Sequence, residues 1–428
     1  MSLSIMIIGA GASGLTAART LSAAGLSVTL LEAGNVPGGR MHTLSGDSGP
    51  LEAGAEFIHG ELELSLQLAK EAGIPLKPVR SRMVRVKKGN WSGEGAATED
   101  WGELMQKMKA LKEDQPIAVF LAREFPGDRY SGLRDSVRRF AEGYDLADMN
   151  RASTRALYEE WSREGEEEEY RLEGGYRRLT DYLIAQCIAN GCSIHLSTPV
   201  TQIHWQPGRV EAISATGQAF SADRVVLTIP LGMLQPDALS SFPPGIQFFP
   251  SIPAHLEAIR QLGYGSVIKI LLQFKTPFWD KKKTPGQTLF ILSDEEVPTW
   301  WTQSEDESAL ITGWLTGENM RIFQSLPAAG HLDRCLSSLA SIFSVDREFL
   351  REQLTDSRIL DWSTAPYIKG GYSFETVTGS KALRFLSQSV AQTLYFAGEA
   401  FYEGAAPATV EAALSSGLAI AQKIIAQS

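Results

Sequence analysis

Along this chain the apolar positions change period several times, and each change marks an element. Ile5-Met6-Ile7-Ile8 is an unbroken apolar run of strand length. Gly9-Ala10-Gly11-Ala12-Ser13-Gly14 follows, and Leu15 then opens a helical stretch that reaches Ala24. Gly25 stops that helix, and Ser27-Val28-Thr29-Leu30-Leu31 reads as a second strand ending at Glu32. Further along, Leu104, Met105, Met108 and Leu111 recur at helix spacing. Leu133, Val137 and Phe140 do the same amid Arg134, Arg138 and Arg139. Later the pattern turns to strands, at 267–274, 288–292 and 309–315. No internal repeat is visible.

The first strand, glycine loop, helix and second strand make a β-α-β unit with an acid at its end. Gly9, Gly11, Ala12, Ser13 and Gly14 leave little side chain between the backbone N–H groups and a bound pyrophosphate. The helix that follows presents its positive end to the same place. Glu32 lies 18 residues past Gly14, near the ~20 at which an acid meets ribose hydroxyls. The whole pattern points to a dinucleotide.

Residues downstream decide which one. Glu32 is followed by Ala33-Gly34, then Pro37-Gly38-Gly39-Arg40, then Leu51-Glu52-Ala53-Gly54-Ala55-Glu56-Phe57-Ile58-His59-Gly60. This resembles the flavin-containing amine oxidase family, which includes monoamine, polyamine and L-amino acid oxidases. In that family the corresponding stretches wrap FAD, and a nicotinamide-only enzyme has no need of the second one. Leu394-Tyr395-Phe396-Ala397-Gly398-Glu399 resembles the family's FAGE segment, and 408–417 its following helix. Thr198-Pro199-Val200 and 222–232 resemble a further FAD-contacting stretch. Asp361-Trp362, Pro366-Tyr367 and Gly370-Gly371-Tyr372 resemble the segment that walls the substrate site. The resemblance runs from residue 4 to residue 425, with its blocks in the family's order.

The resemblance implies a role for each matched residue. Arg40 approaches the diphosphate, beside Gly39. Gly54, Ala55, Glu56 and Phe57 pass beside the flavin ring. Val200 meets the adenine through its backbone, and Gly398-Glu399 contacts the ribityl side. The helix after Thr409 and Val410 points its N-terminus at the flavin's pyrimidine edge, where negative charge builds on reduction. The fold implied is α/β: a discontinuous FAD-binding Rossmann-like domain with an α+β substrate-binding domain. The FAD domain takes residues 1–75, about 190–240 and 360–428, and the substrate domain 76–189 (helical) and 241–359 (sheet). The Pro243-Pro244 to Pro253 stretch is the expected crossing.

Composition narrows the classes. The 428 residues are 43% hydrophobic and 21% charged, as in an ordinary soluble globule long enough for two domains. A net charge of −10 argues against nucleic-acid binding and favours attraction of cations. Cys187, Cys192 and Cys335 form neither a metal spacing nor an even disulfide set and fit a reducing, cytoplasmic setting. The N-terminal apolar run lacks a basic flank, so no signal peptide is expected. No apolar run reaches 18 residues, so no membrane partner and no tail anchor are expected. Among His42, His59, His195, His204, His255 and His331, no two share a close metal-binding spacing. The run Glu166-Glu167-Glu168-Glu169 reads as a solvated face or as a cation-attracting rim.

Lys269 interrupts an aliphatic strand. It reads either as an edge-strand lysine that snorkels to solvent or, by resemblance, as the lysine that holds a water against the flavin. Tyr372 matches one wall of an aromatic cage that aligns a neutral amine. The facing wall, a second Tyr in monoamine oxidases, is Thr409 here, so the cage is half-built and admits a bulkier or secondary amine. Gly371 stands where monoamine oxidases attach FAD through Cys, which implies a non-covalent flavin. Trp362 is expected beside the flavin and, with His59, in the substrate site, while Glu56 lies near the ring or acts from behind it.

These residues imply an FAD-dependent amine oxidase, catalytic through Lys269 and Tyr372. It converts an amine to an imine and then a carbonyl compound, with dioxygen reduced to hydrogen peroxide. An L-amino acid oxidase stays open, with Arg80 or Arg82 for the carboxylate. A carbon–carbon desaturase of the protoporphyrinogen or phytoene type and a non-catalytic flavoprotein remain alternatives. Neither the individual amine nor the oligomeric state follows from the sequence.

Overall fold

In the computed structural model, which describes residues 3–46, 49–92, 100–163, 168–235, 245–280, 287–303 and 308–428, the apolar runs become strands of two large sheets. The first is wholly parallel. Its order is Ser193–His195, Ser27–Leu31, Ser4–Ile8, Arg224–Leu227, Leu394–Phe396. A parallel sheet is covered on both faces, and this explains the unbroken run at its centre. Ile5 and Ile7 face a core shared with the helices Ala12–Ala23, Tyr176–Ala189 and Val410–Ile425. Met6 and Ile8 face the other way, onto Ile203, Val210 and Phe248 of a smaller four-stranded sheet.

Two glycines let the backbone crowd at the end of this sheet. A Cβ on Gly14 would stand 1.9 Å from the Gly9 carbonyl oxygen. One on Gly417 would stand 2.2 Å from the Ser13 carbonyl oxygen. The helix Val410–Ile425 therefore presses directly on the start of the helix Ala12–Ala23.

The second sheet is mixed and has seven strands. Their order is Leu354–Asp361, Ile268–Phe274, Leu310–Leu315, Thr299–Thr302, Thr288–Ser293, Ser81–Lys87, Asn90–Ser92. Neighbours run antiparallel except Thr288–Ser293 with Ser81–Lys87. Ile268–Phe274 is buried along its length and paired on both sides, so it is no edge strand. The helical pattern of the first insert forms Trp101–Lys109 and Ser131–Gly143, which share a core with Ile117–Glu124 and Thr154–Trp161. Glu166, Glu167, Pro243 and Pro244 lie outside the described residues. Among those described, no helix is long and apolar enough to cross a membrane.

Candidate active site

One cavity of about 2000 Å³ runs between the two sheets. Small-molecule sites usually occupy roughly 300–1,000 Å³, so a dinucleotide and a second molecule fit together. The structure brings nearly all of the sequence-selected residues to its wall. These are Gly9, Gly11, Ala12, Ser13, Glu32, Ala33, Gly39, Arg40, Gly54, Ala55, Glu56, Phe57, His59, Val200, Lys269, Trp362, Tyr372, Gly398, Glu399, Thr409 and Val410. Gly14 is not on the wall. It stands behind the loop, where it permits the turn.

The glycine-loop end is built mostly of backbone. No side chain caps the helix at Gly11, and the Leu15 N–H is the first to close onto the Gly11 carbonyl, at 2.9 Å. The N–H groups ahead of it are the orphan donors of a helix start. Ser13 Oγ, in the same turn, is buried without a hydrogen-bond partner among the described residues. Glu32 accepts from the Ala10 and Gly34 N–H groups, both at 2.7 Å, and burial still raises its pKa. Each of its oxygens keeps a lone pair for a ligand hydroxyl. An anion at the helix start and a diol at Glu32 both fit, as FAD requires.

Arg40 joins the first and last segments of the chain. One of its guanidinium nitrogens donates to the Gly371 carbonyl at 2.6 Å and to Glu399 at 2.7 Å. Ser373 Oγ donates to the other Glu399 oxygen at 2.5 Å. Three residues picked out separately in the sequence thus form one hydrogen-bonded hub.

Opposite lies an aromatic wall. Phe57, Trp301, Trp314 and Tyr372 follow one another with ring centroids 6.2, 5.8 and 6.4 Å apart. The Tyr372 hydroxyl donates to the Tyr144 carbonyl, and Trp314 Nε1 to the Gly143 carbonyl at 2.9 Å. Both rings are therefore locked to the C-terminal end of the helix Ser131–Gly143. Burial pushes the Tyr372 phenol well above its usual range, so it stays a neutral donor.

Lys269 is 1% exposed, which rules out snorkelling. Its Nζ donates to the Gly54 carbonyl at 2.9 Å and to Glu56 Oε2 at 2.8 Å. Glu56 Oε1 accepts from Arg171 Nη2 at 2.8 Å and from Trp301 Nε1 at 3.0 Å. Burial opposes the charged carboxylate, but Lys269 and Arg171 outweigh it and hold Glu56 down at about 2.

Other selected residues have quieter surroundings. The Thr409 hydroxyl caps the helix Val410–Ile425, accepting from the Ala412 N–H at 3.1 Å and donating to the Ala406 carbonyl at 2.7 Å. Trp362 packs with Leu146 and Val267, its Nε1 donating to the Ala53 carbonyl at 3.0 Å. His59 Nδ1 lies 2.9 Å from Glu169 Oε1. A Cβ on Gly371 would stand 2.5 Å from Leu146 Cδ1, so a side chain there would have to displace the end of Leu146. Arg80 and Arg82 do not line the cavity. Among the described residues, no cluster could hold a metal ion.

Arg171, Trp301, Trp314 and Tyr144 carry much of this geometry and were not selected from the sequence. Only the paired indoles of Trp300-Trp301, in a short strand, could have drawn notice. Glu142, Glu160 and Glu375 were not selected either. They line the cavity, and burial raises all three, Glu160 to about 7.

Comparisons with known proteins show what the chain is similar to. A family model described as flavin containing amine oxidoreductase matches residues 12–425. Lysine-specific histone demethylase 1B of Mus musculus is 27% identical over 99% of this chain and 53% of its own length. Polyamine oxidase 4 of Oryza sativa subsp. japonica is 27% identical over 98% of this chain and 88% of its own. The chain thus spans about half the length of the demethylase it matches. Among solved structures, a wild-type putrescine oxidase bound to putrescine superimposes with a TM-score of 0.79 at 22% identity, covering 100% of this chain and 99% of that one. This likeness shows the fold.

Proposed function

The chain belongs to the flavin-containing amine oxidoreductases, a family of FAD-dependent enzymes, and on that premise we propose that it oxidises a polyamine or another bulky or secondary amine and passes the electrons to dioxygen, giving hydrogen peroxide. The observation that carries the proposal is the single cavity that runs from the uncapped helix start at Gly11 to Lys269 and Tyr372. FAD, bound non-covalently, would supply the acceptor for the hydride equivalent that leaves the amine's α-carbon.

The protein's own part is to hold, orient and exclude water. The Ala12–Gly14 turn and Ser13 Oγ receive the diphosphate, and Glu32 the ribose. The Tyr372 face aligns a neutral amine, so no protein base is obligatory. The Lys269 ammonium holds a water and stabilises negative charge as oxygen is reduced. Breadth at the substrate end supports a bulky amine, because Thr409 is engaged as a helix cap and sets no ring opposite Tyr372. The carboxylates Glu142, Glu160 and Glu375 support a substrate with further positive charge.

The same reading assigns 1–75, 190–240 and 360–428 to an FAD domain and the rest to a substrate domain. Its support is that the parallel sheet draws its strands from the first set. Peroxide release measured with a panel of polyamines, secondary amines, amino acids and tetrapyrroles tests the function. Turnover of amino acids or tetrapyrroles alone would overturn it. Acid precipitation tests the attachment: all FAD is expected in the supernatant, and flavin kept by the precipitate would refute a non-covalent link.

A further inference from the structure

Glu56 sits between two cations. Lys269 donates to its Oε2, while Arg171 Nη2 and Nε donate to its Oε1 at 2.8 and 3.1 Å. The side chains of Lys269, Glu56 and Arg171 are 1%, 3% and 8% exposed. Two cations around one carboxylate leave a single net positive charge in a dry wall. An ammonium buried this deeply and alone tends to shed its proton, because burial disfavours the charged form, whereas an adjoining carboxylate holds the proton on. Arg171 and Trp301, both bonded to Oε1, favour the anionic form of Glu56 and so oppose proton transfer from Lys269 to it.

Orientation follows from the same contacts. An ammonium has three N–H donors. The Gly54 carbonyl and Glu56 take two of them, no hydrogen-bond acceptor among the described residues takes the third, and Lys269 is one of the residues that line the cavity. Among the described residues, the charged or titratable groups facing Lys269 are few. Glu56 and Glu52 come from the 52–57 segment, and Arg171 comes from Glu169–Leu172. The strands on either side set Trp314 and Leu360 opposite it and bring no charge at that register.

We propose that Glu56 is the positioning residue of Lys269, keeping its ammonium protonated and turned so that one N–H is left for a molecule in the cavity. The proposal rests on the reading of Lys269 given above. It assigns to Glu56 and Arg171 a task for which neither residue touches substrate.

The test uses FAD-loaded Glu56→Gln protein. Its flavin is reduced with dithionite, which needs no amine, and mixed with oxygen over a range of pH. The parent rate is expected to vary little. The variant's rate should fall roughly tenfold or more between about pH 6 and 9, as an unsupported buried lysine deprotonates. Glu52, which burial pushes up to about 7, is common to both proteins, so only the difference between profiles counts. The absorption of the oxidised flavin in the variant should shift over the same interval, without turnover, and Glu56→Asp should restore much of the parent profile.

Parallel profiles and an unshifted spectrum would overturn the proposal. If Glu56→Gln fails to retain FAD, the double variant Glu56→Gln/Arg171→Gln removes one charge of each sign and is read in the same way. Failure of the oxygen role is separable: Lys269→Met would then leave reoxidation unchanged, while the spectral shift of Glu56→Gln would still report the lysine's proton.

Discussion

The two sheets meet the same cavity with different materials. The parallel sheet contributes a turn of backbone, backed by crowded glycines that lie behind the wall, and one acid that bonds its own loop. The mixed sheet contributes side chains: a buried lysine and a row of aromatic rings, reached by a carboxylate and a guanidinium from elsewhere in the chain. The glycine loop and its acid fall within residues 9–32, one short stretch of sequence. The charged end is assembled from partners more than 100 positions apart in sequence, as with Glu56 and Arg171 or Glu56 and Lys269. A site built of backbone tolerates little change of shape, and a site built of charges tolerates little change of charge.

Substitutions can press on each half of this contrast. The largest effect is expected for Gly14→Val. The obstruction is the Gly9 carbonyl at 1.9 Å, which is backbone, so the strain should exceed the ~1–3 kcal/mol of an overpacked core. Purified protein should carry essentially no FAD, read from its absorbance, and should melt earlier. A variant with full FAD content would show that the turn has slack.

Next comes Lys269→Met, which should slow reoxidation of the reduced flavin by about 10²–10³, the usual effect of losing one donor that stabilises developing negative charge. Reduction by the amine has less use for that cation and should change far less. Stopped-flow separation of the half-reactions decides the matter. Equal slowing of both would make Lys269 a structural strand residue.

Acid should act on the charged end as well. Burial opposes the charged form of Glu56, but Lys269 and Arg171 outweigh it and hold the carboxylate at about 2, below its usual 4.5, so its ionisation stabilises the folded chain. Because the folded value is the lower one, this stability is complete above about pH 4.5 and drains away as pH falls toward 2. Denaturant midpoints at a series of acidic pH values should show a steeper loss in the parent than in Glu56→Gln.

The smallest effect is expected for Glu32→Ala, the one charged group at the backbone end. Losing charge-assisted hydrogen bonds of about 1.5–3 kcal/mol should weaken FAD binding by roughly 10- to 150-fold, measured by fluorescence titration of the apoprotein. Unchanged affinity in a folded variant would remove Glu32 from the ribose site.

What the sequence made legible follows the same line. Ser27–Leu31 forms over the five residues expected, and the first helix ends at Ala23, one residue short of the expected Ala24. Both depend on nearby punctuation by glycine and on apolar period. Lys269 stood out because a lone charge in an aliphatic strand is conspicuous. Its partner Arg171 did not, because an arginine in a short strand looks like any surface residue until Glu56 is brought to it. Trp314 was hidden for a related reason: its strand reads as ordinary core, and only the stacking on Tyr372 turns it into a cavity wall. Thr409 was legible as a departure in residue type, but its use as a helix cap depends on local geometry that the residue type alone leaves open.

The order of strands in the parallel sheet also has a consequence for synthesis. Arg224–Leu227 gains its outer neighbour only when Leu394–Phe396 has been made, and the helix that presses on Ser13 comes later still. At about 5–20 residues per second, the ribosome needs roughly 10–30 s to travel between those two strands. For that time the nascent chain presents an unpaired, apolar strand edge, the kind of template on which chains pair wrongly. Ribosome stalling between these strands should therefore yield a chaperone-bound, aggregation-prone intermediate with no flavin, although every residue of the glycine loop is already in place.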